Sequence, residues 1–377
     1  MWVLLKAILV LEDGTVFSGS GFGYPCEVSG EVVFNTGMVG YPEALTDPSY
    51  SGQILTQTYP LIGNYGVPPY SATEFGVPMH FESDKIQVAG YVAHSQTKHP
   101  SHWASVKTLD QWLAEQKTPA MEGIDTRELT KKLRMKGTML GILKISDNID
   151  IEEMRQKLKT VQDPNQRDLV KEVTIDKPIT YKRGSCNVVV IDCGCKFGIL
   201  RNLLARNVNV VRVPYNYSAE KILEFEPSGI VISNGPGDPK KCVETVATVK
   251  EFLEMEIPTV GICLGNQILA LAAGANTYKL KFGHRGQNHP AIDMFNKKCY
   301  ITSQNHGFAI DDGSLNDTDF NVWFVNANDK TVEGIKHKDK AIFGVQFHPE
   351  GSPGPYETGF LFDQFIKEVE KFQGTKT

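Results

Sequence analysis

The sequence is short of the features that announce a secreted, membrane-embedded or nucleic-acid-binding chain. Cysteine is sparse, seven among 377 residues, at positions 26, 186, 193, 195, 242, 263 and 299. An odd number with no CxxC forms no paired framework, which points to free thiols in a reducing compartment. Long apolar runs are missing too. The opening Trp2–Leu11 is interrupted by Lys6, is too short to span a bilayer, and leads into Glu12-Asp13-Gly14, a hairpin turn rather than a cleavage site. It predicts a first β-strand in a cytoplasmic protein with no membrane partner. Excess positive charge is also absent. The 39 Lys+Arg against 44 Asp+Glu leave a formal net charge of −5, which gives no electrostatic reason to bind nucleic acid. No repeat, low-complexity tract, P-loop or ATP-grasp pattern occurs, so no ATP site is legible.

What is present is an ordered globular composition, 41% hydrophobic and 22% charged, in a chain long enough for two cores. The first third is strand-like. Residues 7–11 and 15–18 flank the turn Asp13-Gly14, and Val32-Val33-Phe34 follows Gly30-Glu31. From Asn35 to Val67, Gly37, Gly40, Pro42, Pro48, Gly52, Pro60, Gly63 and Gly66 predict loops of defined shape. Asp125-Thr126-Arg127-Glu128 has capping-box spacing, Leu129 and Leu133 supply an apolar face, and Gly137 is placed to end that helix. Residues 151–159 predict another short helix. The polar segment Asp163 to Gly184, with Pro164 and Pro178, has the composition of a connection. The predicted domains are therefore 1–183, with 151–183 connecting, and 186–372.

The texture changes at Asn187. Val188-Val189-Val190-Ile191 is a continuous apolar run, as a strand buried on both faces requires. Predicted helices at 200–206, 219–225, 243–254 and 267–273 then alternate with strands at 208–211, 230–232 and 259–262. That alternation specifies a doubly wound α/β domain.

The sharpest local signal is Gly261-Ile262-Cys263-Leu264-Gly265-Asn266-Gln267, a strand entering a helix through a cysteine with glycines two residues to either side. This is the spacing of a nucleophile elbow. A thiol at a helix N-terminus gains from the macrodipole, and the Leu264 N–H points where an oxyanion forms. Taken alone, a cysteine is more often a small buried hydrophobe; the glycines and the strand-to-helix setting favour the nucleophile. Phe343-Gly344-Val345-Gln346-Phe347-His348-Pro349-Glu350 ends the last strong strand. In an extended segment His348 and Glu350 project to one side, so the carboxylate can orient the imidazole as a base. His306, in Gln304-Asn305-His306-Gly307-Phe308, is the rival base and has no carboxylate near it in sequence. The loop Ser233-Asn234-Gly235-Pro236-Gly237-Asp238-Pro239 follows the strand 230–232, and its glycine N–H groups can complete an oxyanion hole. Cys193 with Cys195, and His94 with His99 and His102, lack metal-ligand spacing, so no metal site is predicted.

The motifs GPGDP, GICLGNQ and HPE, in that order, resemble the class I glutamine amidotransferases. Gly30–Gly37, Leu45–Tyr50, Tyr59–Asn64 and Ile124–Arg127 narrow the likeness to the carbamoyl-phosphate synthetase small subunit and to the glutaminase part of the fused enzymes. The resemblance spans nearly the whole chain. It implies a mixed β/β/α first domain before a doubly wound class I glutaminase domain, both of α/β class. It also implies hydrolysis of L-glutamine through a thioester, with Cys263 as nucleophile and His348 with Glu350 as partners. Ser49, Gly235, Gly237, Leu264, Gln267, Asn305, Gly307 and Phe308 would contact glutamine, with the first domain leaning over the site through Ser49. The implied partner is a large ATP-dependent synthetase subunit, in a heterodimer or higher oligomer, that receives ammonia through a tunnel and makes carbamoyl phosphate from bicarbonate. ATP and divalent metal belong to that partner, with no cofactor in this chain. Asn266 stands where many members have His. A glutaminase for another amidotransferase, a noncatalytic docking subunit and a stand-alone cysteine hydrolase are the alternatives; the Leu45–Tyr50 pattern and the intact Cys263, His348 and Glu350 weigh against the first two.

Overall fold

The computed structural model describes residues 5–376, so Trp2–Leu4 of the predicted first strand lie outside the described residues. The chain divides into two compact units. The first holds the described residues up to Ser71 and then Pro78–Arg167; the second holds Ala72–Val77 and Asp168 onward.

In the first unit, among the described residues, seven strands close into a barrel. Their order is Lys6–Leu11, Val16–Gly23, Pro119–Glu122, Gly90–Val92, Gln53–Gln57, Glu27–Asn35 and Met139–Ile145. Closure leaves these strands without a free edge. The hairpin predicted around Asp13-Gly14 is present, and the helix Thr126–Lys136 starts where Asp125 accepts from the Glu128 N–H at 2.8 Å and ends at Gly137. The glycine- and proline-rich stretch is less loop-like than predicted. It folds in part into a helix at Tyr41–Thr46, a 3-10 turn at Pro48–Tyr50 and strands at Gln53–Gln57 and Leu61–Ile62.

The boundary differs from the sequence reading. Part of the polar connector belongs to the second unit, because Ile179–Tyr181 pairs antiparallel with Asn209–Pro214 and Val170 is buried in that unit's core. Ala72–Val77 joins the same unit through buried Val77 and through Phe75, whose ring lies 5.0 Å from the Arg183 guanidinium.

The second unit is built on a sheet that has ten strands among the described residues. Five are parallel, in the spatial order Asn209–Pro214, Asn187–Asp192, Gly229–Ile232, Thr259–Ile262 and Ile342–Val345. Numbered along the chain this is 2-1-3-4-5, a doubly wound order whose switch point lies between the first and third strands. An antiparallel portion, Val332–His337, Cys299–Ile310, Thr277–Asp293 and Phe320–Asn326, extends the sheet beyond Ile342–Val345. Val188 and Val190 enter one apolar core and Val189 and Ile191 the other, all four fully buried. Burial on both faces is why the run does not alternate, and each such side chain contributes on the order of 1.5–3 kcal/mol. Among the described residues no helix is long and apolar enough to cross a membrane.

Asp192 ends the first strand and is fully buried. Its Oδ2 meets Arg212 Nη2 at 2.8 Å and Nε at 2.9 Å, while its Oδ1 accepts from the Gly194 and Cys195 N–H groups. Arg212→Leu removes the cation and strands the carboxylate, so stability to urea falls by roughly 3–5 kcal/mol. Adding Asp192→Asn recovers part of that loss. Purely additive losses in the double variant would show that the pair is not coupled.

Candidate active site

The carboxyl ends of the parallel strands carry the chemistry-bearing residues. Thr259–Ile262 runs into the helix Leu264–Ala272 through Cys263, which adopts φ 54° and ψ −103°. That is a strained conformation for a residue with a Cβ. Its neighbours show why the elbow needs glycine: a Cβ at Gly261 would sit 2.4 Å from the Gly265 carbonyl oxygen, and one at Gly265 would sit 2.1 Å from that of Ile232. Cys263 is buried. Its Sγ donates to the Asn305 carbonyl at 3.6 Å and accepts from Gln346 Nε2 at 3.6 Å. Leu264 opens the helix, so its N–H has no acceptor within the helix.

His348 and Glu350 meet as the sequence predicted, but by a different route. The strand ends at Val345, and the pair forms in the turn that follows, where the Gly351 N–H donates to the His348 carbonyl. His348 Nδ1 lies 2.7 Å from Glu350 Oε1, with both side chains buried. Lys196 Nζ, also buried, lies 2.9 Å from the same oxygen. Burial opposes charge on His348, yet the Glu350 carboxylate outweighs it and the imidazole pKa is raised. Burial likewise opposes charge on Glu350; Lys196 and His348 outweigh it and hold the carboxyl well below its usual range. Cys263 adds to the basicity of His348. His348 Nε2 has no partner at normal hydrogen-bond geometry, so the thiol contact is looser than a full hydrogen bond.

Around this centre lie most of the remaining predicted residues. The Ser233–Pro239 loop follows Gly229–Ile232, and a Cβ at Gly235 would meet Leu264 Cδ2 at 2.7 Å, which sets that glycine beside the elbow. Asn234 Oδ1 accepts from the Lys196 N–H at 2.9 Å, tying this loop to the end of the first strand. Asn305, Gly307 and Phe308 belong to the strand Cys299–Ile310, and Gln267 Nε2 donates to the Phe308 carbonyl at 2.8 Å and to Gln346 Oε1 at 3.0 Å. Asn266 is buried against Gly344 and near Gln346. Gly237 takes φ 85° beside Leu169. Ser49 belongs to the first unit, buried in the turn Pro48–Tyr50 with its N–H donating to Asp47 Oδ1.

His306 is engaged elsewhere. Its Nδ1 faces the Phe308 carbonyl at 2.8 Å and its Nε2 lies 3.1 Å from Gln304 Oε1. Burial and the neighbouring His284 charge keep it neutral. The carboxylate that the sequence did not place near it is Glu333.

Residues 189–368 match the family described as glutamine amidotransferase class-I, and residues 9–143 match the carbamoyl-phosphate synthase small chain, CPSase domain. Over 365 residues the chain is 48% identical to the carbamoyl phosphate synthase small chain of Methanopyrus kandleri, covering 96% of this chain and 98% of that one. With the small chain of Pyrococcus furiosus it shares 48% identity over 373 residues, 98% and 99% of the two chains. The chain belongs to the carbamoyl phosphate synthase small-chain family. It is accordingly a glutamine amidotransferase of the small-chain kind. It is also 51% identical over 364 residues to the multifunctional protein CAD of Squalus acanthias, matching 96% of this chain but 16% of that protein.

Two side chains that touch the Cys263–His348–Glu350 cluster escaped the sequence reading, Lys196 and Gln346. Lys196 sits on a different strand end from Glu350, and only sheet order brings them together. Gln346 lies two residues before His348, where the strand appearance of the segment hid a side chain aimed at Cys263.

The ionic contact fixes a sign. Because its folded pKa is raised, His348 contributes stability that is full below the unfolded value near 6.5 and fades as pH rises through the folded one. Glu350→Gln removes the main raising charge, so the His348 ring resonances, followed by NMR, titrate at clearly lower pH than in the wild type. An unmoved titration would show that Glu350 does not set the imidazole's charge.

Proposed function

We propose that this small chain hydrolyses L-glutamine to glutamate and ammonia through a thioester on Cys263. In this reading ammonia passes to a large ATP-dependent synthetase subunit that makes carbamoyl phosphate from bicarbonate. The observation that carries the reading is the buried His348–Glu350 pair just beyond the strand Ile342–Val345, which lies beside the strand that leads to Cys263. His348 takes the thiol proton, and the thiolate attacks the side-chain amide carbon of glutamine. The oxyanion faces the N–H groups of Leu264 and Gly235, which need no reorganisation to receive it. The imidazolium returns its proton to the departing nitrogen, and ammonia leaves. His348 then deprotonates a water that attacks the thioester, giving glutamate and restoring Cys263. Glu350 keeps the imidazole in one tautomer and stabilises its charged form, as the third member of a triad does.

Ser49, Gly237, Gln267, Asn305, Gly307 and Phe308 are the remaining glutamine contacts in this reading. Gln267 supports it by holding the Phe308 carbonyl, which keeps the strand Asn305–Phe308 against the elbow. The glutaminase step as written draws on no cofactor; ATP and divalent metal are assigned to the large subunit, in a heterodimer or higher oligomer. The partner is supported by the small-chain names of the relatives and by CAD, of which this chain matches only a part. A reducing, cytoplasmic setting is supported by seven free cysteines.

The decisive variant is Cys263→Ser in the assembled enzyme. Glutamine-dependent carbamoyl phosphate synthesis is lost, while synthesis from added ammonia continues, because a hydroxyl lacks the nucleophilicity of a thiolate. Near-normal glutamine turnover would sink the nucleophile assignment, and no response to either nitrogen source would sink the partner. His348→Asn lowers the kcat for glutamine hydrolysis by about a thousandfold or more, on the order of a lost triad member. His306→Asn is milder and acts on KM through the glutamine-binding strand. Equal kcat losses in the two variants would show that the base is misassigned.

A further inference from the structure

A second histidine cluster lies one residue along the strand from Asn305. His284, His306 and Glu333 stand on three strands, Thr277–Asp293, Cys299–Ile310 and Val332–His337. They are 7%, 5% and 0% exposed, and one donor atom from each lies within 4.8 Å of the others. His284 and His306 are directly opposed across an antiparallel ladder, with ring centroids 4.9 Å apart, edge to face.

Each ring has one nitrogen committed. His284 Nε2 lies 2.8 Å from Asp329 Oδ2, and His306 Nδ1 lies 2.8 Å from the Phe308 carbonyl oxygen. Both partners accept only, so these nitrogens carry the hydrogens whenever the rings are neutral. The other two nitrogens then present lone pairs, and each faces oxygen. His284 Nδ1 lies 3.2 Å from Glu333 Oε1, and His306 Nε2 lies 3.1 Å from Gln304 Oε1. The Gln304 amide is held in that sense by its Nε2, which donates to Thr302 Oγ1, itself a donor to the His289 carbonyl. His284 Nδ1 and Glu333 Oε2 are buried without hydrogen-bond partners. Acceptors converging in a buried space repel unless a positive charge lies among them.

We propose that His284 Nδ1, His306 Nε2 and Glu333, with Gln304 Oε1 as fourth donor, bind a divalent cation of the zinc class. Two imidazoles, a carboxylate and an amide oxygen form a donor set that zinc accepts. Bonds of about 2.0–2.2 Å around a tetrahedral zinc hold ligand atoms roughly 3.3–3.5 Å apart, and the two separations above are close to that. The surroundings match as well. Metal-binding histidines usually donate their second ring N–H to a carboxylate or a backbone carbonyl, and here Asp329 and Phe308 serve. Thr331 Oγ1 fixes Asp329 Oδ1 at 2.8 Å, and Asn326 Nδ2 fixes Glu333 Oε1 at 2.9 Å. His289, whose ring is 5.2 Å from that of His284 and whose Nε2 has no partner, is the nearest further donor. The competing occupant is a proton, which would make His284 an imidazolium between Asp329 and Glu333. A cation would do more, because it would also fix His306 and the strand that carries Asn305, whose carbonyl meets Cys263 Sγ.

The test uses the full chain in a Cys263→Ser background, which removes the active-site thiol as a competing ligand. Protein stripped by a chelator is titrated with Zn²⁺ by calorimetry and with Co²⁺ by absorption. One equivalent binds, zinc raises Tm, and cobalt shows visible d–d bands of a four-coordinate site without thiolate charge transfer. Glu333→Gln weakens binding at least tenfold. Asp329→Asn, at a side chain 45% exposed, weakens it by about 10–100-fold. Failure of stripped protein to take up either ion stoichiometrically overturns the proposal in favour of the proton. Binding that neither variant alters, or a cobalt spectrum with thiolate character, overturns it equally.

Discussion

Glu350 carries a buried negative charge that two buried cationic groups meet on one oxygen, Lys196 Nζ at 2.9 Å and His348 Nδ1 at 2.7 Å. A lone carboxylate in such a place would cost several kcal/mol and would take up a proton instead. With both partners it stays ionised, and as an anion it raises the basicity of His348 and fixes the ring. Lys196 follows the first parallel strand and His348 follows the fifth, so the ion group ties two strands with two others between them in the sheet to one point.

That arrangement depends on the sheet. Strands buried on both faces have no room for polar side chains along their length, so polar groups gather where the strands end. Asp192 does this at the first strand, pairing with Arg212 and ordering the turn through Gly194 and Cys195 that delivers Lys196. Ser233–Pro239 does it at the third, Cys263 at the fourth and His348–Glu350 beyond the fifth. At Cys263 the chain accepts strain, with φ 54° and ψ −103°, and the contacts of Gly261 and Gly265 with neighbouring backbone hold it there.

The antiparallel extension supplies the opposite wall. Its strand Cys299–Ile310 presents the Asn305 carbonyl to Cys263 and the Phe308 carbonyl to Gln267, while on His306 it faces the His284–Glu333 cluster. One strand therefore links two polar centres. Its hydrogen-bond ladder with Thr277–Asp293 shifts register twice, between Lys279 and His284 and between Gly286 and His289, which breaks the alternation that would mark a strand.

The sequence alone determined whatever depends on neighbours along the chain. The unbroken run Val188–Ile191, the glycines around Cys263, the Asp125 cap and the Asp13-Gly14 turn are local, because backbone sterics and capping act over a few residues. The order of elements in the second unit followed from that alternation, and the pairing of His348 with Glu350 needed only a two-residue reach. Tertiary structure decided the rest. The polar look of residues 168–183 concealed the strand Ile179–Tyr181, whose place is set by its partner Asn209–Pro214 rather than by its own composition. Lys196 could not be read as Glu350's counter-ion, nor Gln346 as a contact of the thiol, nor Glu333 as a neighbour of His306. Each of those pairings joins segments far apart in sequence, and only sheet order and burial select among the many that charge alone would allow.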